Sequence, residues 1–144
     1  MHFRFSENDQ DFQLAYALRV EVFVLEQGVP REEEKDAYDA TALHILAQTD
    51  GVGDVLATAR LVALSPLQGK VGRVAVAKPV RGTGLGREVM LRLQERARSM
   101  GMREIVLDAQ CTVIPFYEGL GYVAQGPEFL DANILHRRMT LCLV

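Results

Sequence analysis

Arg81-Gly82-Thr83-Gly84-Leu85-Gly86 is the stretch that most constrains this chain. It lies between an apolar run, Gly72-Arg73-Val74-Ala75-Val76, and a long helical pattern that starts near Gly84. A glycine-rich turn that opens a helix gathers unpaired backbone N–H groups at the positive end of the helix dipole. Such a place binds phosphate groups. A Walker loop needs Gly-x-x-x-x-Gly-Lys-Ser/Thr, which does not occur here. A dinucleotide fingerprint needs Gly-x-Gly-x-x-Gly. Counted from Gly82 the third glycine falls on Arg87, and counted from Gly84 on Val89, so both registers fail. What remains is Arg-x-x-Gly-x-Gly between a strand and a helix.

The rest of the chain supports one domain over residues 1–144, with 49% hydrophobic residues to fill one core. A net charge of −3 without a dense basic stripe argues against nucleic-acid binding. No apolar run approaches the roughly 20 residues of a membrane span. The beginning, Met1-His2-Phe3-Arg4-Phe5, lacks a secretory hydrophobic region. Cys111 and Cys142 show no metal-like spacing and make no disulfide framework, so no metal is expected. These features together predict a cytoplasmic protein.

Periodicity predicts the elements. Phe3 and Phe5 alternate as in a short strand. Phe12, Ala15, Leu18, Val22 and Leu25 form one helical apolar face, stopped by Gly28 and Pro30. Residues 26–41 are acidic and irregular, and 32–36 read as a solvated loop face, or as an attractor for a cationic amine. Strands over 44–47 and 55–62 flank Asp50-Gly51 and Gly53, a hairpin pattern. Pro66 and Gly69 break the chain before a strand at 71–77. A helix covers 84–100, a buried strand 105–107, and a short helix 114–120. Tyr122-Val123 and 135–143 close the fold as strands, and the edge of the apolar end, Met139–Val144, offers a pairing site for a second subunit. The order predicts an α/β (α+β) mixed, mostly antiparallel sheet with helices on both faces.

Three segments resemble the GCN5-related N-acetyltransferases: Val74-Ala75-Val76 with the Arg81–Gly86 loop, Asp108-Ala109-Gln110, and Phe116-Tyr117-Glu118-Gly119-Leu120-Gly121-Tyr122. Their order and spacing agree with the family over residues 71–124. Arg19-Val20-Glu21-Val22-Phe23-Val24-Leu25-Glu26-Gln27, with Asp39, His44 and Arg60, is similar to the bacterial branch named for ElaA and YjcF. One departure is Gln110, where many relatives have Asn.

The resemblance implies an acyl-CoA N-acyltransferase fold and transfer of acetyl from acetyl-CoA to a primary amine. It implies that the backbone of Arg81, Gly82, Thr83, Gly84, Leu85 and Gly86 holds the pyrophosphate, with Arg87 adding charge. Val74, Ala75 and Val76 would line the pantetheine arm on a strand splayed from its neighbour, beside Gln110 and Phe116. The Val76 amide would meet the thioester oxygen, and Tyr117 would be the general acid. Glu26, Asp39 and His44 are candidate bases, His44 also reading as a core histidine. Gln27, Arg60, Arg73 and His136 are candidate acceptor-side residues. Arg60 and Arg73 either bind a substrate carboxylate or phosphate, or pair with Glu26 or Asp39, because an unpaired charge on a central strand is costly. The competing function is an acyl-CoA sensor without turnover. The expected partners are a small-molecule or peptide amine and a second copy of the chain.

Overall fold

The computed structural model describes residues 1–50 and 52–144. Gly51, the glycine of the expected hairpin turn, lies outside the described residues. The backbone forms one seven-stranded sheet in the order β1-β2-β3-β4-β5-β7-β6. Its strands are β1 (His2–Phe5), β2 (Leu43–Gln48), β3 (Val55–Ala63), β4 (Gln68–Val76), β5 (Glu104–Gln110), β6 (Val123–Asp131) and β7 (Ile134–Cys142). Every neighbouring pair is antiparallel except β4 and β5. The helices are α1 (Asp9–Arg19), α2 (Arg31–Glu34), α3 (Leu85–Ser99) and α4 (Ile114–Glu118).

Strand alternation assigns the two faces. Ile45, Ala47, Ala57, Ala59, Leu61 and Val71 pack with Val89, Met90, Leu93 and Ala97 of α3. Leu46 and Ala75, pointing the other way, pack with Ala15 and Leu18 of α1. Helices therefore cover both faces, as the pattern predicts.

Several expectations are corrected. Leu25 is not on the buried face of the first helix; it is 72% exposed. After Arg19 the helix widens into a π-helical segment, Val20–Glu26, in which Gln27 N–H reaches Val22 O at 3.2 Å. The i→i+5 turn rotates later residues off the α-helical stripe. Gly69 does not break the chain. It lies inside β4, where a Cβ would come within 2.6 Å of Leu61 Cδ1. β6 runs nine residues, far beyond Tyr122-Val123. It turns into β7 through Ala132 and Asn133 at φ 48° and 63°, the positive-φ pair of a tight hairpin. Consequently β7 lies between β5 and β6, and the expected free edge at Met139–Val144 is occupied.

The acidic segment is also not wholly solvated. Glu32 and Glu33 are exposed, but Glu34 is 1% and Asp39 7% exposed. Both face Arg19, itself 1% exposed. Arg19 Nε donates to Glu34 Oε1 at 2.6 Å, and its Nη1 and Nη2 donate to the two Asp39 oxygens at 2.8 and 3.0 Å. Arg60 Nη1 bridges Asp39 at 2.9 Å and Asp36 at 2.7 Å. Arg73 meets Asp36 at 3.3 Å and Glu34 at 3.5 Å. Three arginines thus neutralise three carboxylates between α1, the 26–41 segment and the sheet. Of the two expected partners of Arg60 and Arg73, Asp39 is used by Arg60 and Glu26 by neither.

The network sets acid sensitivity. Burial pushes the Asp39 carboxyl up, but the hydrogen bonds and charge of Arg19 outweigh it and hold it well below the ordinary 3.8. Asp36 is lowered first by its hydrogen bond from Arg60. Burial lowers His44 below its ordinary 6.5. Each group binds protons more readily when unfolded, so each stabilises the fold above its ordinary value and loses that contribution as pH falls. We expect a shallow stability loss as pH drops through about 6.5, absent in His44→Gln. A steeper loss should follow below about 4. Urea midpoints at pH 7, 5 and 3 measure both. Arg19→Ala removes the shortest ion-pair partner of both Glu34 and Asp39, leaving Arg73 and Arg60 to compensate them in part, and should cost about 3 kcal/mol in urea unfolding at pH 7.

Candidate active site

β4 pairs with β5 only from Gln68 to Val71, opposite Glu104 to Leu107. Beyond that point β4 continues against β3 to Val76, and β5 continues against β7 to Gln110. The sheet opens into a fork. Its cause is one extra residue: Gly72 opposes Arg60 and Ala75 opposes Thr58, so Arg73 and Val74 together face Ala59. Arg73 takes φ 53° to make room. Such a bulge bends the strand and strengthens its twist. The Ala77 amide donates to Leu56 O on the β3 side at 2.8 Å. Backbone groups alternate along a strand, so the Val76 amide and carbonyl point into the fork.

Beyond β4 the chain passes a 3₁₀ turn, Lys78–Val80, and enters the glycine loop. Gly82 and Gly84 have φ 79° and 88°, in the region closed to most L-residues. Gly84 caps α3 and offers no side chain to its first amides. The first intrahelical bond is Glu88 N–H to Gly84 O, 3.0 Å, so the amides of Leu85, Gly86 and Arg87 have no intrahelical acceptor. Thr83 Oγ1 donates to Val80 O at 2.6 Å and braces the loop. At Gly86 a Cβ would stand 3.2 Å from Val76 Cγ2 and 3.6 Å from Phe116 Cζ. Loop, fork and α4 therefore converge there, and the residues fit a diphosphate with an extended arm running to the fork.

Tyr117 and Tyr122 are both buried phenols, but they differ in commitment. The Tyr122 hydroxyl donates to Gln94 Oε1 at 3.1 Å inside the core. The Tyr117 hydroxyl donates to no described residue. Its ring packs edge-on against Phe116 and Tyr122, with centroids 5.0 and 5.8 Å away. Burial pushes the Tyr117 phenol up, which keeps it protonated at neutral pH.

The end of the π-helical segment touches both lips of the fork. Arg81 Nη2 donates to the two Glu26 oxygens at 3.0 and 2.9 Å, and its Nε donates to Val76 O at 2.9 Å. Gln110 Nε2 donates to Gln27 Oε1 at 2.8 Å. Arg87 Nη1 lies 3.4 Å from Gly119 O, linking α3 to the end of α4.

The remaining candidates divide into two groups. Asp39, His44 and Arg60 lie in the buried network beside α1. His44 Nε2 is 3.0 Å from the Asp39 carbonyl, which can only accept, so that nitrogen carries the proton. Its ring packs edge-on against Phe12. The two arginines on its carboxylate make Asp39 a weaker proton acceptor than an ordinary aspartate. His136 instead stands opposite Gln110 on β7, its ring stacked on Phe129. Sequence reasoning did not single out Glu34, Lys70 or Arg138. Asp108 accepts from Arg138 Nε at 2.6 Å and meets Lys70 Nζ at 3.1 Å. Burial raises the Asp108 carboxyl, and Arg138 and Lys70 together bring it below its ordinary value. Alternation of Val106, Asp108 and Gln110 along β5 was the available signal for this face. A charged Arg19 set beside the apolar stripe of α1 was the signal for the buried network.

Comparison with known proteins agrees with this geometry. Residues 8–143 match the family model described as Acetyltransferase (GNAT) domain. The chain is 36% identical over 135 residues to a Bacillus subtilis (strain 168) protein named "Uncharacterized N-acetyltransferase YjcF", covering 93% of this chain and 94% of that one. The structure superposes on an acyl-CoA N-acyltransferase from Pseudomonas aeruginosa with a TM-score of 0.85 and 29% identity, covering 96% and 97% of the two chains. Escherichia coli ElaA, 24% identical, shares the fold with a TM-score of 0.85 over 97% of this chain and 99% of that one. With its forked mixed sheet and glycine loop, the chain belongs to the GCN5-related N-acetyltransferase family, in its ElaA/YjcF-like branch.

Proposed function

We propose that this protein transfers an acetyl group from acetyl-CoA to a primary amine by direct attack. The observation that carries the reading is the fork: β4 and β5 part after Val71, and the Val76 amide and the uncapped start of α3 lie at that opening, where Gly86 meets Val76 and Phe116. Acetyl-CoA would supply the activated thioester. The loop amides from Arg81 to Gly86 bind its pyrophosphate, with positive-φ glycines allowing close approach of the backbone. Arg87 adds charge at the first turn of α3. Val74, Ala75, Gln110 and Phe116 line the path of the arm, and the Val76 amide polarises the thioester carbonyl.

In the transfer a nitrogen–carbon bond forms and the carbon–sulfur bond breaks. Tyr117 gives its proton to the departing sulfur, and the amine's surplus proton passes to Glu26. A phenol held neutral by burial is suited to donation, and a carboxylate at the lip of the fork to acceptance. Arg81 holds that carboxylate in place. No helix among the described residues is long and apolar enough to cross a membrane. The proposed reaction is placed in the cytoplasm, with a small-molecule or peptide amine as the acceptor.

Two measurements test the reading. Tyr117→Phe should lower kcat for thiol release about 100-fold or more, while calorimetry finds the same affinity for coenzyme A. Unchanged turnover would remove the acid role, and absence of turnover with every amine in a broad panel would favour a sensor. Gly84→Ala forces a Cβ into the left-handed region at a cost of roughly 1–2 kcal/mol. It should weaken coenzyme A binding without altering the affinity of the fork for a pantetheine fragment. Equal weakening of both ligands would argue against the loop as the diphosphate site.

A further inference from the structure

Arg73 has the most exposed side chain of the arginine network and lies in the part of β4 that has left β5. The side chains of Arg19 and Arg60 are 1% and 9% exposed, and that of Arg73 is 26% exposed. It occupies the bulge itself, with a left-handed φ of 53° unusual for a long side chain. Backbone placement of this kind is retained where the surroundings fix it, and it clusters at functional sites. The guanidinium is held from behind: Nε donates to Glu34 O at 3.0 Å, and Nη2 lies 3.4 Å from Glu33 O and 3.3 Å from Asp36 Oδ2. Nη1 donates to no described residue.

The charge around it is lopsided. Burial lowers the affinity of Arg73 for its proton, and the neighbouring Arg60 and Arg19 lower it further, before Glu34 and Asp36 oppose them. Lys70, on the same strand, and Arg138 share the single carboxylate of Asp108. Each of the four carboxylates here, Glu34, Asp36, Asp39 and Asp108, is thus shared between two cationic side chains. Glu34 and Asp39 are buried and paired with arginines, whereas Glu32 and Glu33 of the same segment stay exposed. Arg73 precedes Val76 by three positions, at most about 10 Å along the chain, since the bulge shortens an extended rise. That distance places an anion and a reacting amine on one small molecule.

We propose that Arg73 is the acceptor-side anion anchor, so that the amine acetylated here also carries a carboxylate or phosphate group that docks on the Arg73 guanidinium. The inference rests on the acetyltransferase reading above and adds the chemical class of the acceptor. Arginine suits such a group because its planar fork matches either anion with paired hydrogen bonds.

The test uses matched pairs of amines with acetyl-CoA and follows thiol release. An amino acid is compared with its carboxamide, and an amino sugar with its phosphate ester, so the two arms distinguish carboxylate from phosphate. Wild-type protein should favour the anionic member of at least one pair about tenfold or more in kcat/KM. Arg73→Asn, whose side chain tolerates the left-handed region, should erase that preference by raising KM for the anionic member. Equal or better use of the neutral members by wild type would overturn the proposal, as would equal loss for both members in a folded Arg73→Asn variant. The wild-type comparison decides the matter even where the variant fails to fold. Thiol release with no amine of either kind would defeat the acetyltransferase reading itself, and this inference with it.

Discussion

One extra residue opposite Ala59 governs the functional half of this molecule. Without it β4 and β5 would remain hydrogen-bonded along their length, and the sheet would close. With it, β4 leaves β5 after Val71, and the Val76 amide is turned into the fork while its carbonyl accepts from Arg81. A parallel pair buried between helices normally spends all its ladder groups on its neighbours. Here the fork leaves some of them for a ligand, and the glycine loop delivers α3 to the same opening.

The bulge is made possible by the charge network beside it. A long residue at φ 53° needs its side chain fixed, and two carbonyls from the 33–34 turn together with Asp36 do so. Those groups are in turn anchored through Glu34 and Asp39 to Arg19, deep under α1. Buried ion pairs contribute little net stability, because desolvation offsets attraction. Their value here is geometric: they tie an irregular segment to a strained strand. Glu34 Oε2, a buried oxygen without a hydrogen-bond partner, marks where that arrangement is imperfect. The π-helical turn belongs to the same device. It carries Glu26 and Gln27 off the helical stripe and across to Arg81 and Gln110.

Much of the fold was legible in the order of residues. Alternation identified β1, apolar runs identified β2, β3 and β5, and the four-residue spacing of Val89, Leu93 and Ala97 marks α3. The glycine loop was legible because excluding two other phosphate motifs left a distinctive remainder. β6 was not, because Gly126-Pro127 reads as a stop and Ala132 carries no signal for a left-handed turn. Leu25 was misplaced because a π-helical turn leaves no mark in hydrophobic periodicity. Of the candidate site, the loop expected to hold the diphosphate was written in one contiguous stretch, 81–86. The charge cluster of Arg73, Lys70, Asp108 and Arg138, on three strands, was not legible, because it forms only when β4, β5 and β7 are side by side.

The sequence by itself determined the local chemistry: a loop of glycines free to adopt positive φ, a phenol two residues past Pro115, and strands whose apolar faces demanded helices on both sides. Those properties depend on neighbours within a few positions, so the order of residues is enough to specify them. Only the tertiary structure decided which charges are neutralised and which are offered. Electrostatic partners such as Arg19 and Glu34, or Arg81 and Glu26, meet through space across 15 and 55 positions. Whether a carboxylate faces solvent, an arginine or a ligand depends on burial, and burial exists only once the sheet and helices have packed.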